Sequence, residues 1–102
     1  MKKQNVEEAR KLIESVVKGY EQFSYPELRK WVEDKKIETK EVVGDSGVEY
    51  QVELEVMWDD KRGGAIRFSG SIYDESSSRL LKVKTPLSVD FIKASDGTLV
   101  DN

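Results

Sequence analysis

The stretch VEYQVELEVMW, residues 48–58, alternates apolar and polar side chains almost without interruption. Successive side chains of a β-strand point to opposite faces of the sheet, so this pattern produces one apolar face and one largely acidic face. An alternation of this length predicts a long antiparallel strand with one face on the core and the other in water. The apolar members are Val48, Tyr50, Val52, Leu54, Val56 and Trp58.

Turn-forming residues flank this strand on both sides. Residues 44–47 contain two glycines, and residues 59–64 contain two more, which supply the positive φ values that tight turns use. Gly70 falls on the apolar face of the next strand, where it indicates a bulge or a helix packed closely above it. Similar alternation predicts the remaining strands at residues 37–43, 65–73, 80–84 and 87–93.

The strands on either side of residues 59–64 are expected to form an antiparallel hairpin with an even register sum, which means that the numbers of two facing residues add to an even number. That register places Val56 opposite Ile66 and Glu55 opposite Arg67. Both apolar sets then share one face, with Phe68 on the same side as Val56.

The chain before residue 37 has helical rather than extended periodicity. Apolar residues recur at three- and four-residue steps over residues 6–20, and Asn5 is suited to cap that helix. A second helix is predicted to begin at Ser24, where Glu27 completes a capping box, and to end near Lys35.

These elements predict one α+β domain over residues 1–102, with two N-terminal helices packed on one face of a four- or five-stranded antiparallel meander sheet. By element order this resembles the cystatin-like and NTF2-like layouts, in which a curved sheet wraps a helix. Such a resemblance concerns the fold and implies no function by itself.

Three segments also resemble parts of a family of short, uncharacterised bacterial proteins. They are WDDKRGG at residues 58–64, GSIYD at residues 70–74 and FIKASDG at residues 91–97. The resemblance would cover most of the chain. The family implies no activity, so no site residue carries over from it.

The composition excludes several kinds of chemistry. The chain has no cysteine and no histidine, so it lacks thiolate metal ligands, the commonest general base and the usual near-neutral pH switch. We expect a non-enzymatic protein with no catalytic site, metal or cofactor, and a stability that varies little between about pH 6 and 8. Residues 1–8 lack the apolar segment of a secretory signal and no apolar run is long enough to span a membrane, so we expect a cytoplasmic protein with no membrane partner.

Negative charge is concentrated around the long strand. The net charge is −3, and residues 44–60 carry six acidic groups and no basic one. Three of them, Glu49, Glu53 and Glu55, fall on the polar face of the strand. They could bind a cation or a basic protein partner, although neighbours on one strand face are too far apart to converge on a metal ion by themselves. They could also be a solvated face paired with Arg67, Lys82 and Lys84 on neighbouring strands. A basic stripe that includes these cations would lie beside the acidic strand, so we expect no nucleic-acid partner.

The aromatic side chains allow a second functional interpretation. Tyr20, Trp31, Trp58 and Phe68 could line a ligand pocket between the helices and the sheet, although aromatic residues at such spacing are commonly core residues. Trp31 and Trp58 are expected to be largely buried there.

The sequence therefore favours a small protein-interaction module that uses the acidic sheet face. A small-molecule-binding domain with an aromatic-lined pocket is the alternative. The sequence leaves open whether the protein is a monomer or a homodimer.

Overall fold

Within the residues that the structure describes, two helices precede five strands that form one antiparallel sheet in chain order. The computed structural model describes residues 3–74 and 87–100. The helices pack on one face of the sheet, α1 mainly over β3 and β4 and α2 over β2. This arrangement confirms the predicted α+β meander; the strand predicted at residues 80–84 lies outside the described residues. The elements are α1 (Lys3–Tyr20), α2 (Tyr25–Asp34), β1 (Ile37–Val43), β2 (Glu49–Trp58), β3 (Ile66–Asp74), β4 (Leu87–Lys93) and β5 (Leu99–Val100).

Helix α1 buries the apolar stripe that the sequence predicts, with Ala9 and Ile13 fully buried and Val17 only 2% exposed. It begins at Lys3 rather than at residue 6. The prediction that Asn5 caps it is therefore wrong, because lysine and glutamine are good helix formers and extend the helix toward the N-terminus.

Gly70 of β3 lies directly beneath α1. A Cβ atom placed on Gly70 would lie 2.5 Å from Cγ2 of Val17 and 3.1 Å from Cδ1 of Ile13. The pairing of β2 with β3 continues through Gly70 without interruption. Of the two predicted explanations for this glycine, close helix packing is confirmed and a bulge is not.

Helix α2 begins at the predicted capping box. The Ser24 hydroxyl accepts a hydrogen bond from the Glu27 backbone N–H, and the Glu27 carboxylate accepts one from the Ser24 N–H at 2.8 Å. The helix ends where Lys35 adopts a left-handed conformation, with φ 53° and ψ 39°, so its end also lies where the sequence predicts it.

The β2–β3 hairpin is displaced by two residues from the predicted register. Val56 lies opposite Phe68, and Glu55 lies opposite Ser69. The predicted partners Ile66 and Arg67 are therefore wrong. The register sum is still even, so Val56 and Phe68 share the buried face as predicted.

The loop between β2 and β3 explains this displacement. The last cross-strand pair is Trp58 with Ile66, and the loop is held against α2 by the Tyr25 hydroxyl. That hydroxyl donates to the Gly64 carbonyl oxygen at 2.6 Å and lies 3.2 Å from the Gly63 carbonyl oxygen. This tertiary contact favours a longer loop than the local turn pattern predicts.

Trp31 and Trp58 are both partly buried and packed against the core, so the predicted burial is met only in part. Trp31 lies near the exposed end of α2, where its indole N–H donates to the Lys36 carbonyl oxygen at 2.7 Å. Trp58 lies at the end of β2, where the hairpin loop begins. Both indoles therefore border the core.

Two charged side chains connect the helices to the sheet. The buried Lys93 ammonium donates to the carbonyl oxygens of Glu21 at 2.7 Å and Phe23 at 2.5 Å, between the two helices. The Glu8 carboxylate of α1 accepts hydrogen bonds from the Ser46 N–H at 2.9 Å and the Ser46 hydroxyl at 2.6 Å. It also accepts one from the Tyr50 hydroxyl at 2.8 Å.

The Glu8 contact explains a second glycine. A Cβ atom on Gly44 would lie 2.4 Å from the Glu8 carboxyl carbon, so a larger residue at this turn would displace the carboxylate. The hydrogen bonds from Ser46, and then that from Tyr50, lower the pKa of Glu8 below its ordinary value.

Candidate interaction surface

The outward face of the sheet carries the carboxylates that the sequence singles out. On β2, Tyr50, Val52 and Leu54 point inward and are fully buried. Glu49, Glu53 and Glu55 alternate with them, point outward and are exposed. We call these three residues the acidic stripe. Alternation of side chains along one strand is sufficient to place them together on the face opposite the helices.

Among the described residues, those that pair directly with the acidic stripe are uncharged. Glu53 lies between Thr39 of β1 and Ser71 of β3, and Glu55 lies between Ile37 and Ser69. Paired residues in an antiparallel sheet point to the same face, so these side chains are the immediate surroundings of the carboxylates. No basic residue among them offsets the charge.

Among the described residues, one neutral hydrogen bond to the acidic stripe is present. The Tyr73 hydroxyl donates to the Glu53 carboxylate at 2.9 Å. Within the part of the chain that the structure describes, none of the three carboxylates forms an ion pair. One oxygen of Glu53 is therefore oriented by a hydrogen bond from a neighbouring strand.

Arg67, one of the basic residues that could have paired with the stripe, does not pair with it. Its guanidinium instead bonds Asp59 at 2.7 and 3.0 Å and also pairs with Asp90. The displaced register causes this, because it places Arg67 beside Met57 rather than opposite Glu55. The hydrogen bonds to Asp59 and then Asp90 raise the pKa of Arg67 above its ordinary value. The other two predicted partners, Lys82 and Lys84, lie outside the described residues.

The spacing of the three carboxylates suits a negative potential spread along the strand better than a site that chelates a metal ion. Glu53 and Glu55 are neighbouring same-face residues about 7 Å apart, within the Debye length of about 8 Å at physiological ionic strength, so their potentials add. Glu49 lies farther along the strand, about 13 Å from Glu53, with Gln51 between them. Across residues 3–74 and 87–100, no three acidic side chains converge in a way that could hold a metal ion.

The aromatic residues considered as a pocket lining contact one another directly. The Tyr20 and Phe68 rings stack with centroids 4.8 Å apart, and Trp31 meets Phe68 edge-on at 5.6 Å and Tyr20 at 5.9 Å. Three of the four predicted residues therefore come together, and their own rings fill the space between them. Trp58 packs against the same core from the end of β2.

Two charged residues that the sequence analysis did not assign to a site, Glu8 and Lys93, have structural partners. Glu8 fastens the β1–β2 turn, and Lys93 caps the connection between the helices. Their partners are 38 or more residues distant in sequence, so no local pattern could have shown these contacts.

Neither helix, in its described part, is long and apolar enough to cross a membrane. Comparisons with protein families, with curated proteins and with solved structures find no match to this chain. The resemblance to short bacterial proteins stays a prediction.

Proposed function

We propose that this domain is a protein-interaction module and that the acidic stripe binds a basic partner. The observation that carries the proposal is the exposure of Glu49, Glu53 and Glu55 on a sheet face opposite the helices, with no ion pair to any described residue.

The pairing of Arg67 on the outward face also supports a basic partner. Arg67 is already held between two aspartates, so it adds little positive potential beside the stripe. A negative patch of this kind steers a basic partner during encounter, and salt weakens the attraction. We therefore expect a protein segment rich in lysine or arginine.

The packing of the aromatic residues favours this proposal over a small-molecule pocket. Tyr20, Trp31 and Phe68 contact one another at ring distances typical of core aromatic clusters. The proposal assigns the domain no catalytic role and no cofactor. The order of elements supports the cystatin-like or NTF2-like layout, and the lack of cysteine suits the cytoplasm.

The test is charge reversal on the stripe with a matched control on the helices. Glu53→Lys with Glu55→Lys reverses the stripe, and Glu7→Lys with Glu14→Lys makes the same change of net charge at exposed positions of α1. Each variant and the wild type are used to capture partners from native lysate at increasing salt, with quantification by mass spectrometry.

We expect the reversed stripe to lose basic partners that the wild type and the α1 control both retain, and we expect salt to release those partners. Recovery of the same partners by the reversed stripe, with the same salt dependence as the wild type, would contradict the proposal.

A further inference from the structure

Strand β1 has an edge to which no described strand pairs. In its hairpin with β2, the Gly44 N–H bonds the Val48 carbonyl oxygen at 2.9 Å. Hydrogen-bonded pairs alternate along an antiparallel ladder, so the backbone groups of residues 38, 40 and 42 face β2. Those of residues 37, 39, 41 and 43 therefore face the free edge.

Apolar side chains are exposed along the same edge. Ile37 is 57% exposed and Val43 is 63% exposed, at the two ends of β1. Both lie on the outward face, because Ile37 pairs with Glu55 and Val43 with Glu49. A strand edge with free backbone groups and exposed apolar residues is suited to pairing with another strand.

We propose that a second copy of this chain pairs with β1 edge to edge, antiparallel, with Thr39 opposite Thr39 of the second copy. This register places Glu38 opposite Lys40 of the second copy, and Lys40 opposite its Glu38. The two copies are then related by a two-fold axis, so Glu38 and Lys40 form two opposite-charge pairs across the interface.

Charge selects this register from those that the backbone allows. Two copies can bond through the backbone groups of this edge only when the numbers of two facing residues add to an even number. Three such registers pair at least five residues of β1: those centred on Thr39, on Lys40 and on Glu41. The register centred on Lys40 opposes two lysines, and the register centred on Glu41 opposes two glutamates. Like charges directly opposite one another destabilise strand pairing.

The structure already holds the two charged residues on the side of the sheet where they would meet. The Tyr20 hydroxyl lies 3.5 Å from the Glu38 carboxylate, and the Lys40 ammonium lies 5.3 Å from the centroid of the Tyr20 ring. Residues 38 and 40 would occupy non-hydrogen-bonded pairs across the new edge, where facing Cα atoms are about 4.5 Å apart and side chains are closest.

The dimer goes beyond the proposed function. It joins two described five-stranded sheets into one continuous sheet, with both acidic stripes on the same face. Ile37 becomes a diagonal neighbour of Val43 of the second copy, which reduces the exposure of both. The proposed register pairs five residues of the seven-residue strand and buries less than the roughly 1,200 Å² of a stable complex, so we expect association that reverses on dilution.

The test measures self-association by sedimentation equilibrium from about 10 μM to about 1 mM, the range expected for a small interface. Glu38→Lys alone and Lys40→Glu alone each oppose like charges, and each should weaken dimerisation about tenfold or more. The double variant that exchanges the two charges should restore it. An equimolar mixture of the two single variants should form a heterodimer, since one variant then carries lysine at both positions and the other carries glutamate at both.

Thr39→Pro provides a backbone control. It removes an N–H that faces the free edge and serves no bond to β2, so the variant should fold and remain monomeric. A wild type that is monomeric throughout the range would overturn the proposal. Single charge variants that associate as the wild type does, or an exchanged double variant that fails to associate, would overturn the Thr39-centred register.

Discussion

Substitution of Gly70 by alanine tests the packing of α1 on the sheet. The added Cβ would lie 2.5 Å from Cγ2 of Val17, 3.1 Å from Cδ1 of Ile13 and 3.2 Å from Cδ2 of Leu54. Carbon atoms in contact are normally about 3.5–4.0 Å apart, so Val17 must move by about 1 Å. All three neighbours are buried, which leaves little free space for that movement.

The expected free-energy change is the difference between two opposing effects. Overpacking a core costs about 1–3 kcal/mol. Replacing glycine by alanine also restricts the unfolded chain, which stabilises the fold by about 0.4–1 kcal/mol. We therefore expect Gly70→Ala to lower the free energy of unfolding by about 1–2 kcal/mol.

Urea denaturation followed by circular dichroism measures this change, and the midpoint should fall by about 1 M for a domain of this size. Gly19→Ala is the matched control, because nothing lies within 4 Å of a Cβ at that position of α1. The control should be as stable as the wild type or more stable, by up to about 1 kcal/mol. If Gly70→Ala is as stable as the wild type, the close approach of α1 to β3 is wrong.

Three further predictions concern the contacts that join the helices to the sheet. Glu8 has a lowered pKa in the folded state, so its contribution to stability is present above the ordinary glutamate range and is lost as the pH falls through the lowered pKa. Urea midpoints should therefore be nearly constant between about pH 6 and 8 and should fall in acid. The fall in acid should be less steep for Glu8→Gln than for the wild type. Gly44→Ala displaces the same carboxylate, so its effect and that of Glu8→Ala should not add in a double-variant denaturation series. Lys93→Met leaves two carbonyl oxygens without their donor and should lower the free energy of unfolding by about 1–3 kcal/mol, measured in the same way. Additive losses for Gly44→Ala and Glu8→Ala, or no loss for Lys93→Met, would contradict these contacts.

Periodicity predicts the elements of this fold well, because the apolar pattern repeats every two residues in strands and at three- to four-residue steps in helices. It also predicts the even register sum that keeps Val56 and Phe68 on one face. The register itself depends on where the loop ends. The hydrogen bond from Tyr25 to Gly64 helps determine that point, across 39 residues of sequence.

For the candidate surface too, the sequence predicts which face a residue occupies but not which residues it contacts. Alternation alone places Glu49, Glu53 and Glu55 on the outward face. The partners of Arg67 could not be predicted, because Asp90 lies 23 residues away on another strand and the displaced register carries Arg67 away from Glu55. A pattern within one strand or helix predicts which face each residue occupies, whereas contacts between elements can be identified only from the folded structure.

Carboxyl footprinting tests the central proposal most directly, because it reports each carboxylate separately. The purified domain is labelled with a carbodiimide and an amine, first alone and then in native lysate at physiological salt, and the extent of modification is read by mass spectrometry. Protection in lysate should be confined to Glu49, Glu53 and Glu55, should disappear at high salt, and should not extend to Glu7 and Glu14 of α1. Equal labelling of the acidic stripe in buffer and in lysate, or protection of the α1 carboxylates instead, would contradict the assignment of the outward sheet face as the interaction surface.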